Sequence, residues 1–262
     1  MKNNPQNYLT PIAIIVAGII IASGVVAKEQ LQNRLGLSKT SAVQGTETAN
    51  PNTATDQQAA VGSEQLEFDL NYIKATATDG KVGKDNAPIK MTIFSDYACP
   101  YCGAAAGQLQ SVIDSLKTQS PDWEPIIPNV ITDYVNSGKV QLIFREFVVH
   151  GPAAAKAAEA AQCAVDSGKY LEMGDAIFQN QEDWSSETDP TEKLIAIGKS
   201  IGVNIADCLK NGTKTASVNQ DIEDGQKAGV TGVPTFFVND EAVVGAQPYS
   251  EFKKIVDSKL GS

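Results

Sequence analysis

Two cysteines separated by two residues lie where a β-rich segment changes into a helical pattern. Residues Ile89–Ser95 (IKMTIFS) alternate in polarity and follow a turn-forming stretch that ends at Pro88, which predicts a strand. A helical pattern begins at about Pro100, and its apolar positions line one helix face: Leu109, Val112, Ile113 and Leu116. Cys99 then falls at the start of the helix and Cys102 one turn further in. This order of strand, cysteine pair and helix constrains the fold more than any other feature of the chain.

The start of a helix gives a cysteine the environment that thiol exchange requires. Only the thiolate is nucleophilic, and the free N–H groups and partial positive charge at a helix N-terminus lower the pKa of a thiol. Pro100 suits the first helical position, where its missing N–H is not needed. We therefore expect Cys99 to attack and form a mixed disulfide, and the less exposed Cys102 to resolve it.

Two other interpretations of the pair are weaker. A zinc site would need a second close pair of ligands, but Cys163 and Cys208 are 45 residues apart and His150 is the only histidine. A purely structural disulfide is disfavoured because a loop this tight tends to be strained and labile, which suits exchange. We expect neither a metal nor a cofactor.

The rest of the chain continues the alternation of strands and helices. Residues Lys139–Val149 predict a second strand. Helical periodicity is present at 153–165, 170–178, 191–201, 205–209 and 249–260, and a β-hairpin is predicted at 234–245 with its turn at Asn239–Asp240. The order is a βαβ unit and a ββα unit with a helical insertion between them, which predicts an α/β fold with a mixed sheet.

A second signature, Thr231–Phe236 (TGVPTF), comes just before the hairpin. If the Val233–Pro234 bond is cis, this loop can lie beside the start of the cysteine-bearing helix. The Val233 backbone would then offer strand-like hydrogen bonds to an extended substrate peptide.

The first sixty-five residues have a different composition. The run Leu9–Ala27 is uncharged, so residues 1–30 are interpreted as a membrane anchor, with a cleaved signal segment as the alternative. Residues 31–65 are rich in Ser, Thr, Ala, Gln and Asn, which predicts a disordered linker. The folded domain is expected at 66–262. With 21 basic and 31 acidic residues, the net charge of −10 argues against nucleic acid as a partner.

The sequence resembles the DsbA-like thiol-disulfide oxidoreductases of the thioredoxin superfamily. The resemblance spans about 89–260 and is carried by FSDYACPYC (94–102), by REF (145–147) with His150 and the Ala-rich 153–164, and by GVPTFFVN (232–239). It implies a thioredoxin fold with a helical insertion at about 152–228 and a loop at Val233 and Pro234 that contacts substrate. It also implies a monomer that makes or exchanges disulfides in reduced or unfolded exported proteins, and a quinone-linked membrane partner that re-oxidises Cys99 and Cys102.

The chain departs from this family at two places. Tyr101 stands where the strong oxidants carry histidine, no cation lies in the run 94–102, and Asp96 adds a negative charge. The Cys99 thiolate should therefore be less stabilised, which predicts a milder oxidant. Residues Gln119–Pro128 form an extra segment, interpreted as an inert loop in preference to a lid.

Six further residues have candidate roles. Cys163 and Cys208 are either buried free thiols or a structural disulfide, and the resemblance favours the disulfide, which requires a compartment outside the cytosol. Asp96 is a candidate proton acceptor for the resolving thiol, although capping of the coming helical turn is preferred. His150 is expected to be a satisfied turn residue and not a proton carrier. Glu146 is a candidate for a cross-strand pair with Lys90.

The leading hypothesis is a membrane-tethered, extracytoplasmic oxidase. An isomerase or reductase is the alternative within the enzyme class, although no dimerisation domain is visible in the sequence. A peptide-binding, chaperone-like module without net redox turnover is the alternative from another class.

Overall fold

The computed structural model describes residues 67–261. The expected anchor at 1–30 and the expected linker at 31–65 lie outside the described residues, as does Leu66. Residues 67–261 contain no helix that combines the length and the apolar character needed to cross a membrane.

A five-stranded mixed sheet forms the centre of the domain, in the order β1–β3–β2–β4–β5. Strands β2 and β3 are parallel, and every other neighbouring pair is antiparallel. The strands are β1 (Gly80–Val82), β2 (Ile89–Ser95), β3 (Val140–Glu146), β4 (Thr235–Val238) and β5 (Glu241–Val244).

Helices cover the sheet and fill the long connection between β3 and β4. The α-helices within residues 67–261 are α1 (Pro100–Ala105), α2 (Gln110–Gln119), α3 (Ile126–Val130), α4 (Pro152–Cys163), α5 (Tyr170–Gln179), α6 (Gln181–Trp184), α7 (Thr191–Ser200), α8 (Ala206–Lys210), α9 (Thr215–Lys227) and α10 (Tyr249–Leu260). Helices α4 to α9 make up the insertion between the two halves of the sheet.

The central strand β2 has the predicted bounds. Met91, Ile93 and Phe94 are each at most 1% exposed, although their side chains point to both faces of the sheet. A strand that is covered on both faces reads as a nearly continuous apolar run, which is what IKMTIFS shows.

The helix expected after the cysteine pair is two helices. Helix α1 ends at Ala105 and α2 begins at Gln110. Between them Gly107 has a φ of 80°, a conformation that glycine adopts without steric cost. The predicted apolar stripe therefore belongs to α2 and its start, and only one short helix carries the cysteine pair.

The inserted helices pack closely around the Ala-rich α4. Ala154, Ala157 and Ala161 are fully buried, because side chains this small let neighbouring helices approach α4 closely. Cys163 at the end of α4 is joined by a disulfide to Cys208 in α8, with 5.9 Å between their Cα atoms.

The extra segment Gln119–Pro128 is packed into the domain. Trp123 is 2% exposed, and its Nε1 donates a hydrogen bond to the Ala246 carbonyl at 2.8 Å. Ile126 is fully buried beside it. The segment therefore ties the end of α2 to the loop after β5, which is a packing role.

A buried arginine fixes the end of β3 against α9. Arg145 is 1% exposed, and its Nε lies 2.6 Å from Asp221 Oδ1 and its second guanidinium nitrogen 2.7 Å from Asp224 Oδ2. Asp221 Oδ2 also accepts the backbone N–H of Glu146 at 3.1 Å. This ion-pair network holds the C-terminal end of β3, and with it Glu146, in one place under the cysteine pair.

Candidate active site

The cysteine pair lies at the N-terminus of α1, as the strand–helix order indicated. Cys99 is the N-cap residue, Pro100 occupies the first helical position, and the Cys99 carbonyl accepts the N–H of Gly103. Both thiols are free in this structure, and Cys99 and Cys102 are 4% and 2% exposed. Tyr101 between them is 53% exposed, so its aromatic ring lies on the protein surface beside the buried thiols.

The pKa values of the two thiols are shifted in opposite directions. A hydrogen bond from the Cys102 thiol lowers the pKa of Cys99 to about 6, and the backbone N–H groups of Cys102 and Tyr101 act in the same direction against the effect of burial. Burial, followed by the hydrogen bond to Cys99, raises the pKa of Cys102 well above its usual range. Cys99 is thus the more acidic thiol of the pair, and Cys102 holds its proton more tightly.

Asp96 and His150 form a pair near Cys99. Asp96 is 1% exposed, and its Oδ2 lies 2.9 Å from His150 Nδ1 while accepting the backbone N–H groups of Val149 and His150. Its Oδ1 accepts the N–H of Ala98 at 2.8 Å in the turn that leads into α1. Both carboxylate oxygens are thus engaged away from Cys102, and what Asp96 presents to that sulfur is its backbone N–H.

His150 was not assigned an effect on the thiol from the sequence. Its ring is satisfied by Asp96, as expected of a turn residue, but its electrostatic effect also lowers the pKa of Cys99. The sequence held a usable signal, because His150 follows β3, and the carboxyl ends of parallel strands β2 and β3 lie at one edge of the sheet. The histidine absent from the run 94–102 is supplied by the turn that follows the neighbouring strand β3.

The loop before β4 lies against Cys99. The Val233–Pro234 bond is cis, and Cys99 Sγ donates to the Val233 carbonyl at 3.7 Å. Thr235 Oγ1 donates to the Gly232 carbonyl at 2.8 Å, which holds the turn of the loop. Cys99 and Val233, which are 134 residues apart in the sequence, are therefore in direct contact.

A buried polar group under the pair was missed by the sequence reasoning. Lys90 and Glu146 do not pair, because Lys90 lies opposite Gln141 in the sheet and its Nζ bonds to the Gln141 side chain at 2.8 Å. Glu146 is instead opposite Ser95 and is 1% exposed, with its Oε1 accepting the Tyr170 hydroxyl at 2.8 Å. Burial raises the pKa of the Glu146 carboxyl well above its usual range.

Metal chemistry has no candidate ligand set in the described part of the chain. Residues 67–261 contain no group of three or more His, Cys, Asp or Glu side chains that could hold a metal ion.

Comparisons with known proteins agree with this fold. A thioredoxin family model matches residues 122–258, slightly more than half of the chain, beginning after Cys102. Disulfide bond formation protein D of Bacillus subtilis (strain 168) is 26% identical over 185 residues, which are 68% of this chain and 76% of that protein.

Two solved structures are similar in fold. Oxidised BdbD from Bacillus subtilis has a TM-score of 0.61 at 23% identity and covers 72% of this chain and 96% of its own. Wolbachia pipientis alpha-DsbA1 has a TM-score of 0.59 at 21% identity and covers 73% of this chain and 96% of its own. The thioredoxin-like α/β fold expected from the sequence is confirmed.

Proposed function

Because this chain belongs to the thioredoxin family, we propose that it is a protein-disulfide oxidoreductase whose Cys99 and Cys102 introduce or exchange disulfide bonds in exported proteins. The observation that carries the proposal is that the pKa values of the two thiols are shifted in opposite directions. The pKa of Cys99 is lowered to about 6, and that of Cys102 is raised well above its usual range. A pair in which one cysteine ionises readily and the other keeps its proton is suited to thiol-disulfide exchange.

The proposed reaction begins from the oxidised pair. A substrate thiolate attacks Cys99 Sγ, the Cys99–Cys102 bond breaks, and the bonding electron pair leaves on the Cys102 sulfur, which takes up a proton. A second substrate thiolate then attacks the substrate sulfur of the mixed disulfide, and Cys99 leaves as a thiolate. Substrate loses two electrons as its disulfide forms, and the cysteine pair gains them. The low pKa of Cys99 makes it a good leaving group in the second step.

The surface around Cys99 supports an extended polypeptide as the substrate. The Val233 carbonyl faces the Cys99 sulfur, and Pro234 fixes the loop that presents it. Tyr101 and Val149 are 53% and 51% exposed, and the Val149 backbone is tied to the turn before Cys99 through Asp96. Apolar side chains on both sides of a reactive thiol favour the apolar segments that unfolded proteins expose.

The disulfide between Cys163 and Cys208 supports a location outside the cytoplasm, since such bonds persist in oxidising compartments. We propose that residues 1–30 tether a monomeric domain to the membrane and that a quinone-linked membrane protein re-oxidises the pair. These assignments complete the oxidase cycle.

The test is a trapping experiment with the full chain. Cys102→Ala should accumulate mixed disulfides between Cys99 and unfolded substrate proteins that carry a disulfide: the Cys99 thiolate attacks that bond, one substrate sulfur leaves as a thiolate, and the adduct is visible as a thiol-sensitive band on gels. The matched control is Cys99→Ala combined with Cys102→Ala, which should trap nothing. If peptide binding and function in cells survive Cys99→Ser, the oxidoreductase proposal is wrong and peptide binding alone explains the site. If substrate disulfides are only broken or rearranged, the reductase or isomerase alternative holds.

A further inference from the structure

A tight turn of four residues, Asp96–Cys99, leads from β2 into α1. The Cys99 N–H donates to the Asp96 carbonyl at 3.0 Å, which closes the turn. The central peptide of the turn joins Tyr97 to Ala98, so its two polar atoms are the Tyr97 carbonyl oxygen and the Ala98 nitrogen. The hydrogen bond that closes a turn uses neither of these atoms, so a buried central peptide needs partners from elsewhere.

Side chains hold both polar atoms of this central peptide. Asp96 Oδ1 accepts the Ala98 N–H at 2.8 Å, and Gln181 Nε2 donates to the Tyr97 carbonyl at 2.7 Å. Gln181 is the first residue of α6, lies 84 residues further along the chain than Tyr97 and is 9% exposed. The peptide just before Cys99 is therefore held on one side by its own turn and on the other by the helical insertion.

The neighbouring contacts fix Gln181 in place. Trp184, at the other end of α6, is fully buried, and its Nε1 donates to the Ile177 carbonyl in α5 at 2.9 Å. The Tyr97 ring packs against Phe178 of α5, with 4.8 Å between the ring centroids. Contact between two rings tolerates small shifts, whereas a short hydrogen bond has a direction, so the Gln181 donor is what fixes the orientation of the Tyr97 carbonyl.

The hydrogen bonds continue through Asp96 to the turn after β3. Donation to a peptide carbonyl polarises the peptide and strengthens the hydrogen bond that its N–H makes. Asp96 Oδ2 accepts the N–H groups of Val149 and His150 at 2.7 and 2.9 Å. Gln181 therefore stands at one end of a chain of hydrogen bonds that joins the inserted helices to two turns near Cys99.

We propose that Gln181 is a positioning residue that holds Cys99 in the orientation required for thiol-disulfide exchange. The inference rests on the proposed oxidoreductase function and gives the helical insertion a part in the chemistry of the site. The Gln181 side chain donates to the Tyr97 carbonyl and not to either thiol, so it acts through the Tyr97–Ala98 peptide.

The orientation of Cys99 matters because its sulfur has partners on two sides. Cys99 is the N-cap of α1, and its Sγ lies 3.7 Å from the Val233 carbonyl. The electrostatic effect of a helix N-terminus falls off within the first turn, so a small displacement of the sulfur weakens it. Without the Gln181 donor the Tyr97 carbonyl loses its partner, and the turn shifts to find another because an unpaired buried carbonyl is costly. The Cys99 sulfur shifts with the turn, which destabilises its thiolate and misaligns it with a substrate sulfur.

The test compares Gln181→Met with the wild type in the full chain. Methionine has a similar length and suits a helix, but it cannot donate a hydrogen bond. We measure the pKa of Cys99 from thiolate absorbance, the equilibrium of the pair with glutathione, and the rate at which the oxidised protein oxidises a reduced peptide with two cysteines. We expect the pKa of Cys99 to rise from about 6 by about one unit. The glutathione equilibrium should then move about fivefold towards the oxidised pair at pH 7, and the oxidation rate should fall about tenfold or more.

A second variant separates the lost hydrogen bond from lost packing. Gln181→Ala removes the donor and most of the side chain, so it should lower Tm more than Gln181→Met but raise the pKa of Cys99 by the same amount. The matched control is Gln179→Met. Gln179 is exposed, and its Nε2 donates to the Gln108 side chain at 2.8 Å, so the pKa of Cys99, the equilibrium and the rate should not change.

Wild-type values of the Cys99 pKa, the glutathione equilibrium and the oxidation rate in folded Gln181→Met and Gln181→Ala would overturn the positioning role, even with a lower Tm. The oxidoreductase function would then stand. If the wild-type protein does not oxidise the peptide, the oxidoreductase proposal is wrong, and the pKa comparison still decides whether Gln181 holds Cys99 in place.

Discussion

Removing the Cys102 thiol should weaken the acidity of Cys99 in a way that a hydroxyl can restore. The hydrogen bond from Cys102 is the largest cause of the lowered Cys99 pKa. A hydrogen bond to a charged acceptor is worth about 1.5–3 kcal/mol, and 1.36 kcal/mol corresponds to one pKa unit, so its loss is worth about one to two units. Cys102→Ala should therefore raise the pKa of Cys99 from about 6 to roughly 7–8.

The consequence at pH 7 is measurable. With a pKa of about 6, Cys99 is about 90% thiolate, and in Cys102→Ala this fraction should fall to roughly 10–50%. Cys102→Ser keeps a donor at the same position and should stay near the wild-type value. The assay is thiolate absorbance against pH, checked by the rate of iodoacetamide alkylation. Equal Cys99 pKa values in the alanine and serine variants would refute the assignment of this hydrogen bond as the main cause.

Three further predictions concern stability and pH. Replacing Cys163 and Cys208 with alanine should cost about 4 kcal/mol in the free energy of unfolding, because the bridge closes a loop of 45 residues; a loss below about 1 kcal/mol in denaturant titrations would contradict this. Burial raises the pKa of Asp175 to about 6, although the Gln108 side chain lowers it, so the ionised carboxylate reduces the free energy of unfolding as pH rises from about 4 to 6. Asp175→Asn should therefore raise Tm at pH 7.5 but not at pH 4. Equal Tm shifts at both pH values would exclude this linkage. Arg145→Met should lower the free energy of unfolding by about 3–5 kcal/mol, because it leaves the buried Asp221 and Asp224 carboxylates without their ion-pair partner. An unchanged free energy of unfolding would show that these carboxylates are solvated or protonated.

The elements that the sequence predicted best were those with strong local patterns. Strand β2 was predicted residue for residue because its apolar run follows Pro88 and stops at the turn before Cys99. The hairpin was predicted because Asn239, with a φ of 54°, tolerates the left-handed conformation that its turn requires. Strand β1, only three residues long, has no pattern of its own and exists because it pairs with β3.

The cysteine pair could be placed from sequence, but its surroundings could not. Position at a helix start is a local property, so the placement of Cys99 and Cys102 there followed from spacing. The contact of Asp96 with His150, 54 residues away in sequence, depends on the parallel pairing of β2 and β3. Glu146 was a candidate partner of Lys90, because nothing nearby in the sequence reveals that Tyr170 and the inserted helices bury it.

The reduction potential of the Cys99/Cys102 pair, measured by equilibrating the full chain in glutathione buffers, tests the oxidase proposal most directly. Thioredoxin has a reactive thiol of pKa near 7 and a potential of about −270 mV, whereas DsbA has values near 3.5 and −120 mV. With the pKa of Cys99 at about 6, we predict a potential between these two limits. A value below about −300 mV, typical of structural disulfides, would contradict a role as a disulfide donor, and a value as high as about −120 mV would contradict the milder oxidant expected from Tyr101.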